Sequence, residues 1–352
     1  MLRPNEVPGA IIYGLSGFEL TSDEKYLFQE INPFGFILFT RNCANPTQVT
    51  QLIDELRRLV NRPDAPVFID QEGGSVRRLR PPLWHTSPAI QIFGSIYGVN
   101  KSIAYKAANL SGRLIAGQLS QVGININCAP VLDVLFSKTT SAIKGRSFGS
   151  DPSLIIELAN SFCEGMLSGG VLPVIKHIPG HGRATEDSHQ QMPIVRATRR
   201  ELGKADFMPF RSLASMPFGM TAHVLYEKLD KNNVATFSKT IVKDIIRNEI
   251  GFNGFLITDD ICMGALDGNL RTRCLKALEA GCDAVLHCSG DYDEMEFIGS
   301  IVPKLSNESN TRWFVAKSLQ RKLPKLEHSD LEVLSEELEE LIGSSPGYYY
   351  TD

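Results

Sequence analysis

The chain is short of several features, and each shortage removes a class of protein. Nowhere do ~18 apolar residues run together, so no bilayer-spanning helix is expected. The start, MLRPNEVPGAIIYGL, lacks the basic segment, apolar run and small-residue cleavage site of an export signal, so a cytoplasmic location is expected. There is no long basic run, and the formal net charge is -4 with a pI of about 6.0. Neither nucleic acid nor an anionic membrane is therefore an expected partner. Cysteine is sparse: seven among 352 residues, an odd and dispersed set with no C-x-x-C pair. A disulfide framework does not fit that pattern, whereas buried free thiols do.

What remains is an enzyme-sized chain with 43% hydrophobic and 22% charged residues, enough for a substantial core. Short runs rich in Ile, Val and Phe recur at Ala10–Gly14, Gly35–Thr40, Pro66–Asp70, Ile124–Ala129, Leu172–His177, Phe218–His223, Gly254–Asp259 and Asp283–Cys288. They lack polar alternation, as parallel strands covered on both faces do. Helical spacing fills several of the gaps. Asn45 and Pro46 announce a helix whose Val49, Leu52, Ile53, Leu56 and Val60 share one face, and others are expected at 102–121, 152–167 and 238–249. Eight strand-helix units predict an α/β fold, a single (β/α)8 TIM-type barrel, with an open doubly wound sheet as the alternative. The capping-box pattern Ser329-Asp330-Leu331-Glu332 predicts an added C-terminal helix over 329–342, packed on the barrel or at a dimer contact. Residues 1–343 are thus read as one catalytic barrel and 344–352 as a flexible tail, in a monomer or weak dimer.

Polar residues gather where the strands finish, which on a barrel is one mouth. Asp70 and Arg78 follow the third strand, Asp133 and Arg146 the fourth, Lys176 and His177 end the fifth, and Asp259 and Asp260 end the seventh. Such a set over an apolar floor suits a neutral, hydroxyl-rich ligand such as a carbohydrate. Taken singly, Asp70 with Arg78 reads equally well as a structural ion pair, Arg146 as a solvated charge and Asp259-Asp260 as an acidic strand cap. Of those two acids, strand alternation lets only one face the mouth. Glu72-Gly73-Gly74 lacks the lysine and spacing of a phosphate-cradling loop, so no nucleotide site is expected.

About twenty residues separate the fifth strand from the next helical signal near Thr198, against the ~2–6 usual for such a connection. His177, His181, His189 and Asp187 invite a metal reading. Pro179, Gly180 and Gly182, however, prevent the helix that would align the first two histidines, and no cysteine pair supports zinc. No metal and no cofactor are expected. Asp187 and His189, at i and i+2, can instead form a carboxylate-imidazole pair able to deliver and recover a proton near neutral pH. With Asp259 across the mouth as nucleophile, these are the parts of a retaining glycosidase, most of which use two carboxylates instead.

At these residues the sequence resembles family 3 glycoside hydrolases, specifically the bacterial β-N-acetylhexosaminidases of peptidoglycan recycling. The resemblance rests on FGFILFTRN, IDQEGGSVRR, NCAPVLDV, GRSFG, KHIPGHG with the later DSH and MP, and LITDDICMGA. It implies Asp259 as the nucleophile of a covalent glycosyl-enzyme, His189 as acid/base and Asp187 as its partner on a mobile loop. It further implies that Asp70, Arg78, Arg146, Lys176 and His177 hold the sugar hydroxyls; Asp133 and Met263 complete the expected site. Gln71 and Ser75 depart from the family pattern, which often has His and Arg there. The implied reaction removes N-acetylglucosamine from a muropeptide or chito-type sugar, such as one ending in 1,6-anhydro-N-acetylmuramic acid. A β-glycosidase of another sugar, a phosphorylase, a sugar-binding protein without activity and a metal-dependent hydrolase are the remaining readings.

Overall fold

A computed structural model describes residues 7–320 and 326–343 of the chain. Its centre is a closed barrel of eight parallel strands in the order β1-β10-β9-β7-β5-β4-β3-β2. These are β1 (Gly9–Gly14), β2 (Pro33–Leu38), β3 (Val67–Ile69), β4 (Ile126–Asn127), β5 (Leu172–Ile178), β7 (Phe218–Thr221), β9 (Phe255–Asp260) and β10 (Ala284–His287). All eight expected strands are present, and closure excludes the open-sheet alternative. The remaining strands, β6 (Ile194–Val195) and β8 (Leu225–Tyr226), pair with each other outside the barrel. This ribbon ties down the end of the long connection after β5, which the sequence pattern does not announce.

The barrel interior is filled by Ile12, Phe34, Phe68, Ile126, Leu172, Val174, Phe218, Phe255 and Ile257, all fully buried. Phe34 stacks on Phe255 with ring centroids 4.4 Å apart, and Trp313 meets Phe34 edge-on at 5.3 Å. Each such ring taken from water contributes roughly 2–3 kcal/mol, so the barrel is a packed core rather than a pore.

The surrounding helices are α1 (Ser22–Ile31), α2 (Pro46–Leu59), α3 (Gln91–Tyr97), α4 (Lys101–Gln121), α5 (Pro152–Ser168), α6 (Arg199–Lys204), α7 (Phe207–Ser212), α8 (Leu270–Ala280), α9 (Tyr292–Ile301), α10 (Asn307–Ser318) and α11 (His328–Gly343). Asn45 caps α2 by accepting the Gln48 N–H, and Pro46 takes the first position, where no hydrogen bond is lost. α4 and α5 approach closely because Gly112 and Gly165 face them: a Cβ on Gly112 would lie 2.3 Å from the Phe162 carbonyl oxygen. The expected helix over 238–249 is wound with π hydrogen bonds from Ile241 to Glu249, a winding its apolar spacing does not encode.

The C-terminal helix exists but begins earlier than its pattern suggests. α11 starts at His328, and Asp330 reaches back to accept the Glu327 N–H. Ser329 is therefore inside the first turn, and Glu332 faces His328 instead of capping. The helix packs on α4, with Leu331 against Gly117 and Leu334 and Leu338 buried, which satisfies its apolar face within the chain. The tail at 344–352 lies outside the described residues. All seven cysteines are free, and none is fully exposed. Among the described residues no helix is long and apolar enough to cross a membrane.

Candidate active site

A cavity of about 220 Å³ opens at the C-terminal ends of the strands. Asp70, Arg78, Arg146, Lys176, His177, His189 and Asp259 all line it. Two irregularities in the barrel decide what faces this cavity. The β5–β7 register breaks between Lys176 and Ile178, so two consecutive side chains, Lys176 and His177, both reach it. Between β9 and β10 the register steps from Ile257–Ala284 to Asp260–Leu286, three residues against two. That extra residue is a bulge, and it corrects the expectation from strict alternation: Asp259 and Asp260 both line the cavity.

One flank is a network of five charges. Lys176 Nζ lies 2.9 Å from Asp70 Oδ1 and 2.7 Å from Glu72 Oε1. Arg146 grips Glu72 with both Nε (2.9 Å) and Nη2 (2.7 Å), and Arg78 Nη2 lies 3.3 Å from Asp70 Oδ2. Burial alone would raise the acids, but Lys176 with Arg78 holds Asp70 well below its ordinary value, and Lys176 with Arg146 does the same for Glu72. Lys176 is pushed upward against its own burial by Asp70 and Glu72. The network is a rigid set of donors and acceptors, three cations against two carboxylates, for a net charge of +1. The structure thus shows Asp70–Arg78 to be an ion pair that is also part of the cavity wall. Arg146 is a clamped, part-buried charge, not a solvated one.

Glu72 is the residue that sequence reasoning missed. It follows Asp70 by two positions, the spacing that keeps extended side chains on one side, and this was the available signal. Gln71, a departure from the family pattern, is buried between them. Its Oε1 accepts the Arg78 and Leu79 N–H groups, closing the turn that brings Arg78 to Asp70. Ser75, the other departure, is exposed in the same turn.

On the floor, His177 Nδ1 lies 2.7 Å from Asp133 Oδ2, and the other ring nitrogen is 4.0 Å from Asp259 Oδ2. Asp133 also accepts the His181 N–H, so it orients His177 from behind the cavity. Asp259 Oδ1 accepts the Asp260 N–H. Burial works to raise Asp259, but His177, His223 and that N–H outweigh it and hold the carboxyl below its usual value. Asp260 shifts the other way, raised by burial and by Asp259, while its Oδ1 accepts the Cys262 and Cys288 N–H groups. Of the two adjacent acids lining the cavity, Asp259 is the one whose carboxyl is held below its usual value. Met263, in contrast, packs in the turn after β9 and does not line the cavity.

The long loop after β5 supplies the rim. Gly182 presses on Val134, where a Cβ would stand 1.8 Å from the carbonyl oxygen. Further along, Ser188 bonds His181 Nε2 at 3.1 Å, and Ala265 N–H and Gly264 N–H donate to the Ser188 and His189 carbonyls. His189 is 64% exposed, and its Nδ1 lies 2.8 Å from Asp187 Oδ1, which also accepts the His189 N–H. Although burial opposes it, those two hydrogen bonds keep Asp187 below its ordinary value. The three histidines have separate partners, Asp133, Ser188 and Asp187. Among the described residues they do not bring three ligand atoms together as a metal cage requires.

A barrel mouth with one charged carboxylate on its floor and a carboxylate-supported imidazole on its rim is arranged for acid/base and nucleophilic work on a polar ligand. Residues 16–321 match the model of the glycosyl hydrolase family 3 N terminal domain. The chain belongs to that family. It is a glycoside hydrolase. It is 37% identical over 285 residues to a β-hexosaminidase of Alkalilimnicola ehrlichii, covering 80% of this chain and 81% of that protein. It is 36% identical over 306 residues to a β-hexosaminidase of Idiomarina loihiensis, covering 86% and 90%. Its structure superposes with a TM-score of 0.86 on NagZ from Neisseria gonorrhoeae in complex with N-trifluoroacetyl-D-glucosamine, at 30% identity and covering 96% and 98% of the two chains. The fold and family expected from the motifs are thereby borne out.

Proposed function

We propose that the chain is a retaining β-N-acetylhexosaminidase that removes terminal β-linked N-acetylglucosamine from cytoplasmic peptidoglycan fragments. Fragments ending in 1,6-anhydro-N-acetylmuramic acid, with or without peptide, are the intended substrates. The observation that carries the mechanism is the Asp259 carboxylate, held ionised by His177 and His223 and turned into the cavity below the Asp187–His189 pair.

Asp259 attacks the anomeric carbon while protonated His189 gives its proton to the departing oxygen. The product of this step is a glycosyl ester on Asp259. Neutral His189 then takes a proton from water, whose oxygen attacks the same carbon and releases the sugar with retention. Asp187, ionised throughout, stabilises the imidazolium each time it forms. Asp70, Arg78, Lys176 and His177 take the sugar hydroxyls, and Arg146 acts through Glu72 and at the wall. At about 220 Å³ the cavity is below the ~300–1,000 Å³ of drug-sized sites, which favours removal of one terminal ring over grip on a long chain.

The test is turnover of purified muropeptides read by mass spectrometry, with and without phosphate. Release of free N-acetylglucosamine in both buffers supports the reading. A sugar 1-phosphate formed only with phosphate would make the enzyme a phosphorylase, and turnover of other β-glycosides in place of N-acetylglucosaminides would reassign the sugar.

A further inference from the structure

Behind the catalytic mouth lies a second constellation that the glycosidase chemistry does not use. Cys262 in the turn after β9, His287 at the end of β10 and Glu294 on α9 each offer one ligand atom, all within 4.8 Å of one another. Glu294 Oε2 is 2.9 Å from His287 Nε2 and 3.8 Å from Cys262 Sγ. Around a tetrahedral zinc ion the corresponding separations are about 3.4 and 3.6 Å, from bond lengths of ~2.0–2.3 Å. Only small side-chain movements separate the present arrangement from such a shell. Ser289 Oγ, 2.8 Å from Glu294 Oε2 and 3.1 Å from His287 Nε2, stands beside the three as a neutral oxygen.

We infer that Cys262, His287 and Glu294 form a site for a thiophilic divalent cation of the zinc type, with Ser289 Oγ or water in the fourth position. His287 is completely buried, its Nδ1 has no hydrogen-bond partner, and its polar anchorage is through Nε2, the atom offered to the cation. A groove of about 430 Å³ lined by Cys262, Asn269, Arg273 and Glu294 gives entry from solvent. The one guanidinium in that groove, Arg273, is turned to the Ile261, Met263, Leu266 and Gly268 carbonyls. Asp260, whose Oδ1 accepts the Cys262 N–H, adds a second carboxyl group beside the site.

Binding releases the thiol proton to solvent and moves the His287 ring proton from Nε2, where it faces Glu294 Oε2, to Nδ1, so that sulfur, nitrogen and carboxylate oxygen all present lone pairs to the metal. The site joins the β9 turn to α9. That turn also holds the catalytic loop, through the Gly264 and Ala265 N–H groups donated to His189 and Ser188. Metal occupancy is therefore a clamp on the segment against which the acid/base loop rests.

Titration of the metal-free, full-length enzyme with cobalt(II) chloride reads this directly, because a thiolate ligand gives a near-ultraviolet charge-transfer band that an imidazole-carboxylate site cannot. One equivalent should produce the band, and zinc chloride should displace it. Cys262→Ser should abolish it, while His189→Ala and Cys288→Ser should leave it. Glu294→Gln, on the surface helix, and His287→Asn should each weaken binding by at least the ~10–100-fold lost when a supporting outer partner is removed. No band, a band that survives Cys262→Ser, or an affinity indifferent to Glu294→Gln would each overturn the site. If His287→Asn fails to fold, Cys262→Ser and Glu294→Gln decide.

Discussion

His189 Nδ1 and Asp187 Oδ1 stand 2.8 Å apart on a loop whose imidazole is largely in solvent, with the same carboxylate oxygen accepting the His189 backbone N–H. The i, i+2 turn therefore fixes the ring's orientation without burying it. The outer nitrogen is left free to meet a leaving group.

This relationship predicts how His189→Ala should behave. On a substrate with a sugar leaving group, kcat/KM should fall by the ~10²–10⁴-fold typical of a lost general acid. On an aryl glycoside with an acidic phenol it should fall by less than about 10-fold, because departure of such a phenol needs little protonation. Asp187→Asn should show the same leaving-group dependence with smaller losses. Paired rate measurements on the two substrates check this, and equal losses on both would contradict an acid role.

A second expectation concerns Glu72. Buried Lys176 and part-buried Arg146 both pair with it, so Glu72→Gln keeps the shape but removes the charge they share. Breaking a buried pair from one side costs ~3–5 kcal/mol; Asp70 still faces Lys176, so the lower end applies. Denaturant unfolding should show that loss together with a raised KM. A change in stability below about 1 kcal/mol would show that the network is not held through Glu72.

pH dependence follows from His181. Burial, opposed by Asp133, lowers this imidazole to about 4 from its ordinary 6.5. The folded chain therefore binds fewer protons than the unfolded chain between those values. Stability contributed by neutral His181 is complete above about pH 6.5 and drains away as pH falls toward 4, up to about 3 kcal/mol. Asp206, raised by burial to about 6, acts in the opposite direction over part of that window. The informative measurement is thus the difference in unfolding free energy between the enzyme and His181→Gln across pH 4–7. That difference should grow in the enzyme's favour as pH rises from about 4 to 6.5; parallel curves would refute the shift.

Much of this architecture is legible in the sequence. The eight strands showed as apolar runs because strands covered on both faces leave no room for polar alternation. The Asp187-His189 pair was readable because the interaction is local. Long-range and irregular features were not. The bulge that brings Asp260 to the cavity beside Asp259, and the register break that aims both Lys176 and His177 inward, depend on neighbouring strands. The grip of Arg146 on Glu72 spans 74 residues, and no spacing rule reaches that far. The start of α11 moved because Asp330, not Ser329, supplies the first capping contact.

The two acids at the end of β9 give another prediction. Asp259→Ala should lower kcat by at least about 10³-fold, whereas Asp260→Asn, which keeps an oxygen for the Cys262 and Cys288 N–H groups, should keep most of its rate. Added azide should rescue Asp259→Ala and yield the α-glycosyl azide, since the small anion enters from the face the carboxylate vacated. Recovery of the β-azide would place Asp259 on the leaving-group side.

The covalent intermediate itself is the most direct test. In His189→Ala an activated aryl N-acetylglucosaminide still loads the nucleophile, but water lacks its base, so the glycosyl-enzyme should accumulate. Rapid acid quench, digestion and peptide mass spectrometry should then find one added N-acetylhexosaminyl group on the peptide containing Asp259, with fragmentation placing it on that residue. A label on Asp260 or Asp70, or a burst of phenol with no labelled peptide, would contradict the account.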